Sequence, residues 1–251
     1  MRIVSWNFRN GLELKKSEKF LEILKENGKF PDILTVQECK KEECEKINFI
    51  YKDWFGDSKD SYLGVGIFSN KYKFERALEH NINFRYIIPY HVTDLDNDKR
   101  FVLFLIWTKN VCCDYPYIGQ VYSAVNYPGY KKLLNDHVIL IGDFNANKIW
   151  DNDNNKINNP TFSEVVNILK EKGIHSLYHK ILSNEYGAEK HKTHYNSSQK
   201  KYYHIDYCFS SDDMNPNSIF LASEQDWDDG KNTKSWKSLS DHSPLIVEFD
   251  F

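Results

Sequence analysis

Short apolar runs, each closing on polar or turn-forming residues, punctuate this chain from one end to the other. Arg2 to Trp6, Asp32 to Val36, Leu63 to Ser69, Phe84 to Val92, Arg100 to Trp107, Tyr202 to Ser210 and Pro244 to Phe251 have the length and the β-branched or aromatic enrichment of strands. Val138-Ile139-Leu140-Ile141 is an unbroken aliphatic run, which predicts a strand covered on both faces. A different period marks the helices. Phe20, Leu21, Ile23 and Leu24 lie among charges between Lys15 and Glu26, an amphipathic helix that Asn27-Gly28 caps and Pro31 ends. Tyr117 to Asn135 reads as a helix interrupted at Pro128-Gly129. Thr161, with Glu164 three residues on, forms a capping box for a helix from Phe162 to Lys172. There is no internal repeat and no linker rich in Gly, Ser or Pro. Strands outnumber helices, which predicts one α+β domain over residues 1–251, with stacked sheets and helices outside.

The aliphatic run leads into Gly142-Asp143-Phe144-Asn145-Ala146-Asn147. Asp143 and Asn145 stand two apart, so on extended backbone they share a face and put a carboxylate beside an amide at a strand end. Turn punctuation is the plain alternative for the same residues. Composition changes this picture little. Over 251 residues, 41% hydrophobic and 27% charged is an ordinary globular balance, and 15% aromatic suits a thick core between sheets. The net charge of −3 excludes a basic coat for nucleic acid but leaves room for a local basic groove. Five cysteines with no CxxC spacing fit no zinc pattern and are expected as reduced, buried thiols. The first strand leaves no room for a signal peptide, and the longest apolar run is too short to cross a bilayer. The expectation is a cytoplasmic, monomeric protein with no membrane partner.

Polar clusters far apart in sequence follow the same grammar of strand, then acid or amide. Asn7 ends the first strand and Glu38 the second; Asp206 lies within Tyr203-His204-Ile205-Asp206-Tyr207; Ser240-Asp241-His242 precedes the last strand. Hard cations such as Mg²⁺ take oxygen ligands, with water and substrate completing the shell. Glu38 and Asp241, with Asn7 near, can supply such a partial shell, and His242 sets a titratable imidazole beside it. Taken singly, each has a bland reading: Glu38 at a helix start, Asn7 in a turn, His204 or His242 on a solvated surface. Their order along the chain is what argues against chance.

Ile3-Val4-Ser5-Trp6-Asn7, Asp32 to Glu38, Gly64 to Ser69, Gly142-Asp143-Phe144-Asn145, Ile205-Asp206-Tyr207 and Ser240-Asp241-His242 together resemble the endonuclease/exonuclease/phosphatase superfamily, over the full chain. The resemblance implies a four-layer α/β/β/α sandwich of two packed, mainly antiparallel sheets with the site at one rim. It implies Glu38 as main metal ligand with Asn7 and Asp241 close to the same Mg²⁺ or Mn²⁺. Asp143 would orient or deprotonate the attacking water, and Asn145 would hold that water or a phosphate oxygen. His242 would face the scissile phosphate with Asp206 on its other ring nitrogen. In-line attack builds charge on the equatorial oxygens, so a cation and an imidazolium facing them lower the barrier.

Two departures stand out. Where many relatives carry a second His or a Tyr at a strand end, this chain has Trp107-Thr108-Lys109-Asn110, with Lys109 a candidate for the missing positive charge. Arg9 stands where the exonuclease III branch has an acid, which argues against abasic-site repair and for phosphate contact. His191 to Tyr195 and Lys200 to His204 predict a hairpin on which Lys192, Lys200, Lys201 and His204 alternate with aromatics, suited to nucleic acid. Trp236 can line the same cleft. The expected function is therefore a Mg²⁺- or Mn²⁺-dependent phosphodiesterase, a nuclease on DNA or RNA. A phosphatase or phosphodiesterase on a small or lipid ester, and a binding module with weakened turnover, are the alternatives.

Overall fold

The computed structural model describes residues 1–9, 14–56, 62–110, 116–152, 159–221 and 239–251. In chain order the strands begin β1 (Arg2–Asn7), β2 (Ile33–Lys40), β3 (Tyr51–Gly56), β4 (Leu63–Ser69), β5 (Tyr72–Arg76), β6 (Ile87–Asp94) and β7 (Arg100–Trp107). They continue with β8 (Val138–Asp143), β9 (Ile174–Ser176), β10 (His194–Asn196), β11 (Lys201–Tyr203), β12 (Asp206–Ser211), β13 (Pro216–Leu221) and β14 (Leu245–Phe249). The helices are α1 (Leu14–Glu26), α2 (Lys41–Lys46), α3 (Ile118–Asn126), α4 (Pro128–Leu133), α5 (Phe162–Lys170) and α6 (Leu177–Leu182).

Two six-stranded sheets form, in the orders β13-β14-β1-β2-β4-β3 and β5-β6-β7-β8-β12-β9, with β10-β11 a separate hairpin. Each large sheet has one parallel pair, β1 with β2 and β7 with β8; its other pairs are antiparallel. The unbroken apolar runs now have their cause. In β7, Leu103, Leu105 and Trp107 face the other sheet, while Val102, Phe104 and Ile106 pack on α3 and α4. In β8, Ile139 and Ile141 face inward and Val138 and Leu140 outward. Across the sandwich, Ile3 and Ile33 meet that inner layer, and Val4, Leu34 and Val36 lie under Phe20, Ile23 and Leu24 of α1. Each such buried side chain contributes about 1.5–3 kcal/mol of transfer free energy. The result is the expected α/β/β/α sandwich.

Local signals worked where short-range chemistry decides. Thr161 and Glu164 make the full capping box. Gly28, at φ 64°, closes α1: its N–H bonds to Lys25 and that of Lys29 to Leu24, a Schellman end. The helix expected over 117–135 divides at Tyr127, and Pro128 opens the second piece. Other boundaries moved. The single strand expected over 202–210 is two, because the chain leaves the hairpin at His204-Ile205 and joins β8 only from Asp206. The strand expected from Phe84 starts at Ile87, after a 3₁₀ turn over Ile82–Phe84. Cys39, Cys44 and Cys208 are free and buried; Cys112 and Cys113 lie outside the described residues.

Candidate active site

The carboxyl ends of β1, β2 and β8, the start of β12 and the segment before β14 meet at one rim. Asn7 links both sheets there: its Nδ2 donates to Asp143 Oδ2 at 3.0 Å and to Glu38 Oε1 at 3.3 Å. Ser240 Oγ donates to the Asn7 carbonyl at 2.7 Å and accepts the His242 N–H at 3.1 Å, which ties the last motif to β1. Trp6 adds a 2.7 Å bond from its indole N–H to the His242 carbonyl.

Asp143 and Asn145 come together differently from expected. The strand ends at Asp143, and Asn145 is left-handed (φ 47°) rather than extended. The turn folds the amide back, so Asn145 Nδ2 donates to Asp143 Oδ2 and its backbone N–H to Asp143 Oδ1, both at 2.8 Å. Asn is one of the few residues that tolerates this conformation. Gly142 just before it is obligatory: a Cβ there would lie 1.9 Å from the Ile106 carbonyl oxygen of the parallel neighbour β7. Glu38 also departs from its expected place at a strand end. It sits inside β2 as a bulge with φ 55°, where the register against β4 slips between Gln37 and Cys39. A non-glycine residue held there is strained, a cost of order 1–3 kcal/mol that clusters at functional sites.

Asp206 and His242 form a buried ion pair, with His242 Nδ1 donating to Asp206 Oδ2 at 2.9 Å. Burial alone would lower the His242 pKa, but Asp206, then Asp143 and Asp241, outweigh it and raise it to about 10. Burial, reinforced by the Asp206 charge, raises Asp143 to about 8. Asp241, half-buried, is also raised by burial. Its Oδ2 takes Arg9 Nε at 3.1 Å, and its Oδ1 is buried with no partner. An unpartnered carboxylate oxygen beside Glu38 suits a divalent cation, so the residues fit one. Among the described residues, two groups bring three potential ligand atoms within 4.8 Å of one another: Asp143, Asp206 and His242; and His194, Asp241 and His242.

His194 is the residue missed by sequence reasoning, which took it only as part of a basic and aromatic hairpin. It forms a β-bridge with His242, its ring centroid 4.5 Å away, and its Nε2 lies 3.9 Å from Asp241 Oδ2. Burial and the His242 charge lower its pKa to about 4. The alternation of Thr193 and His194 was the available signal: Thr193 Oγ1 accepts both the Ile205 and Asp206 N–H groups, so its neighbour must face the other way.

The substrate-contact candidates divide. Arg9 is exposed at the rim. Lys109 lies with Nζ 4.4 Å from the ring centre of Trp107. Trp107 itself is buried against Tyr86, while Thr108 braces the site, accepting from Asn145 Nδ2 and bonding the Asp143 and Phe144 carbonyls. Lys200 and Lys201 are exposed on the hairpin, and Lys192 Nζ bonds the Glu189 carbonyl. His204 is a correction. It is buried, with Nδ1 on the His191 carbonyl, and reaches no surface where a polyanion can sit. Trp236 lies outside the described residues.

The profile described as "Endonuclease/Exonuclease/phosphatase family" matches residues 4–242, from β1 to the Asp-His pair. The chain belongs to this family. Its site is that of the family's phosphoester hydrolases, with donor clusters for a metal ion. No curated protein matches the sequence. Solved structures share the fold across the whole chain. A 3'-5' exonuclease, NExo, from Neisseria meningitidis is 19% identical with a TM-score of 0.58, covering 100% of both chains. TDP2 from D. rerio, complexed with a single-strand DNA product, is 18% identical at 0.64, covering 100% of this chain and 99% of that one. A mannosyl-6-phosphatase from Bacteroides thetaiotaomicron is 16% identical at 0.62, covering 100% of both. No helix among the described residues is long and apolar enough to cross a membrane.

Proposed function

We propose that this protein is a Mg²⁺- or Mn²⁺-dependent phosphodiesterase that hydrolyses nucleic acid. The observation that carries the nucleic-acid reading is the place of the hairpin. Strand β10 is stitched to the catalytic segment: the Tyr195 N–H bonds the Asp241 carbonyl and the Ser243 N–H the Thr193 carbonyl, both at 2.8 Å. The Tyr195 and Tyr202 rings pack 4.7 Å apart on that hairpin, with Lys200 and Lys201 exposed beside them. Aromatic faces and cations next to a phosphoester site suit a polynucleotide strand more than an isolated phosphate. NExo and the DNA-bound TDP2 support this reading, and the mannosyl-6-phosphatase marks the rival one.

Glu38 and Asp241 would hold the cation, with Asn7 fixing the Glu38 carboxylate through its amide. When bound, the ion neutralises charge developing on the phosphate oxygens. Asp143, in its ionised form, takes a proton from the attacking water, and the Asn145 amide fixes that carboxylate. His242, oriented by Asp206, presents its free Nε2–H to the phosphate, where an imidazolium offsets transition-state charge. Arg9 binds a non-bridging oxygen.

A panel of labelled single- and double-stranded DNA and RNA oligonucleotides, run beside bis-p-nitrophenyl phosphate and sugar monophosphates, tests the assignment. Oligonucleotides are expected to be cut, and the monoesters to be poor substrates. Monoester turnover with intact oligonucleotides would move the assignment to a small-molecule phosphatase.

A further inference from the structure

His194 changes the chemistry of the rim from oxygen donors to nitrogen and oxygen. Its imidazole, the Asp241 carboxylate and His242 converge with ligand atoms within 4.8 Å of one another. His242 Nδ1 is held by Asp206, which leaves Nε2 as its free donor and reproduces the carboxylate–histidine pairing that orients metal-bound imidazoles. Two atoms in this group are buried without hydrogen-bond partners, Asp241 Oδ1 and His194 Nδ1. The other cluster, Asp143, Asp206 and His242, is already explained by hydrogen bonds among its own members and to Asn7 and Asn145.

We propose that His194, Asp241 and His242 Nε2 form a site for an imidazole-preferring divalent ion such as Zn²⁺ or Co²⁺, and that filling it inhibits the enzyme. Two nitrogens and one carboxylate are a donor set that Zn²⁺ and Co²⁺ favour and Mg²⁺ does not. Inhibition rests on the proposed function, in which His242 Nε2 faces the phosphate: bound to an ion, that nitrogen can no longer donate. Arg9, 3.1 Å from Asp241 Oδ2, is the competing cation. The site is thus closed to weakly held ions and open to those that bind nitrogen strongly.

Titration of the metal-free protein with Co²⁺ alone, followed by visible absorption, reads the site without any substrate. One equivalent should bind with a nitrogen-ligand spectrum, and His194→Gln should weaken it by at least about tenfold. Arg9→Gln should tighten it. In parallel, Zn²⁺ added to the Mg²⁺-supported reaction should inhibit the native protein, and the ratio of rates with and without Zn²⁺ should recover toward one in His194→Gln. Electron spin echo spectroscopy of the native protein with one equivalent of Cu²⁺, an imidazole-preferring ion, needs no variant and should show imidazole nitrogen coupling. Co²⁺ affinity unchanged by His194→Gln in a protein of native circular dichroism overturns the proposal, as does absence of nitrogen coupling. Either result leaves Mg²⁺-dependent hydrolysis standing; hydrolysis indifferent to every chelator would instead remove the function on which the inhibition rests.

Discussion

The two halves of the rim are built to different standards. Asp143, Asn145, Asp206 and His242 are tied to one another and to Asn7: Asn7 and Asn145 bond one carboxylate and His242 Nδ1 the other, which leaves His242 Nε2 free. Arg9 is exposed and Glu38, Asp241 and His194 are partly exposed; Arg9 and Glu38 are left-handed, and Asp241 and His194 each carry a buried atom with no partner. Under the proposed function this contrast separates the groups that must be ready before substrate arrives from Glu38, Asp241 and His194, which would take an ion. In the proposed function the Asp143 carboxylate and the His242 imidazole act through position, and the fold holds both by hydrogen bonds. Asp241 and His194 each keep a buried atom open for an ion to take.

The division is most exposed to disproof at Asp143. Asp143→Asn keeps the shape but removes the charge and the proton affinity, so kcat should fall on the order of 10²-fold or more with affinity held or improved. Asn145→Ala should also lower kcat, and the double variant should lose less than the product of the two, since both serve one water. Steady-state kinetics on a small diester checks this. A near-native kcat in folded Asp143→Asn would reduce the aspartate to a turn former.

The finished half also has a buried support. Asn147 Nδ2 donates to Glu189, to the His204 carbonyl and to Tyr207 Oη, and Glu189 accepts from His179 and the Gly187 N–H. Burial would raise the Glu189 pKa, but the His179 bond and the Gly187 N–H outweigh it and lower the carboxyl to about 2. Because the folded value lies below the unfolded one, this stabilisation is complete above the unfolded carboxyl pKa. It is lost as pH falls from there through about 2. The magnitude is on the order of 3 kcal/mol. Urea unfolding should therefore weaken between about pH 5 and pH 2, and Glu189→Gln should be less stable at pH 7 with a flatter acid limb. An identical limb in the variant would show that Glu189 does not support the site in this way.

On the open side the effect is smaller. Neutralising Lys200 and Lys201 should reduce the slope of log affinity against log salt by about 0.7–0.9 for each phosphate that a lysine no longer neutralises. Hydrolysis of the small diester should not change. An unaltered slope would separate the hairpin from substrate binding.

What the sequence showed and hid follows the same line. Strands whose two faces are both covered announce themselves as unbroken apolar runs, so Val138–Ile141 and Arg100–Trp107 were legible, and with them the sandwich. The Thr161–Glu164 cap was equally plain, being settled within four residues. Hidden were the features that depend on pairing across the sheet. The Glu38 bulge arises from the β2–β4 register, with no glycine to mark it. The left-handed turn at Asn145 sets aside the alternation that reasoning from extended backbone assumes. His194 and His204 look alike in a basic, aromatic stretch, yet tertiary contacts put the first at the rim and the second in the interior.

If the open half binds a divalent cation without which the finished half does nothing, the rate must follow the ion. Hydrolysis of bis-p-nitrophenyl phosphate against Mg²⁺ concentration decides this, in native protein and Glu38→Gln, after exhaustive dialysis with chelator. No rate is expected in chelator, and full recovery with Mg²⁺ or Mn²⁺. The half-saturating Mg²⁺ concentration should be at least about tenfold higher in the variant. Full activity in chelator, or identical Mg²⁺ curves for the two proteins, would contradict the assignment.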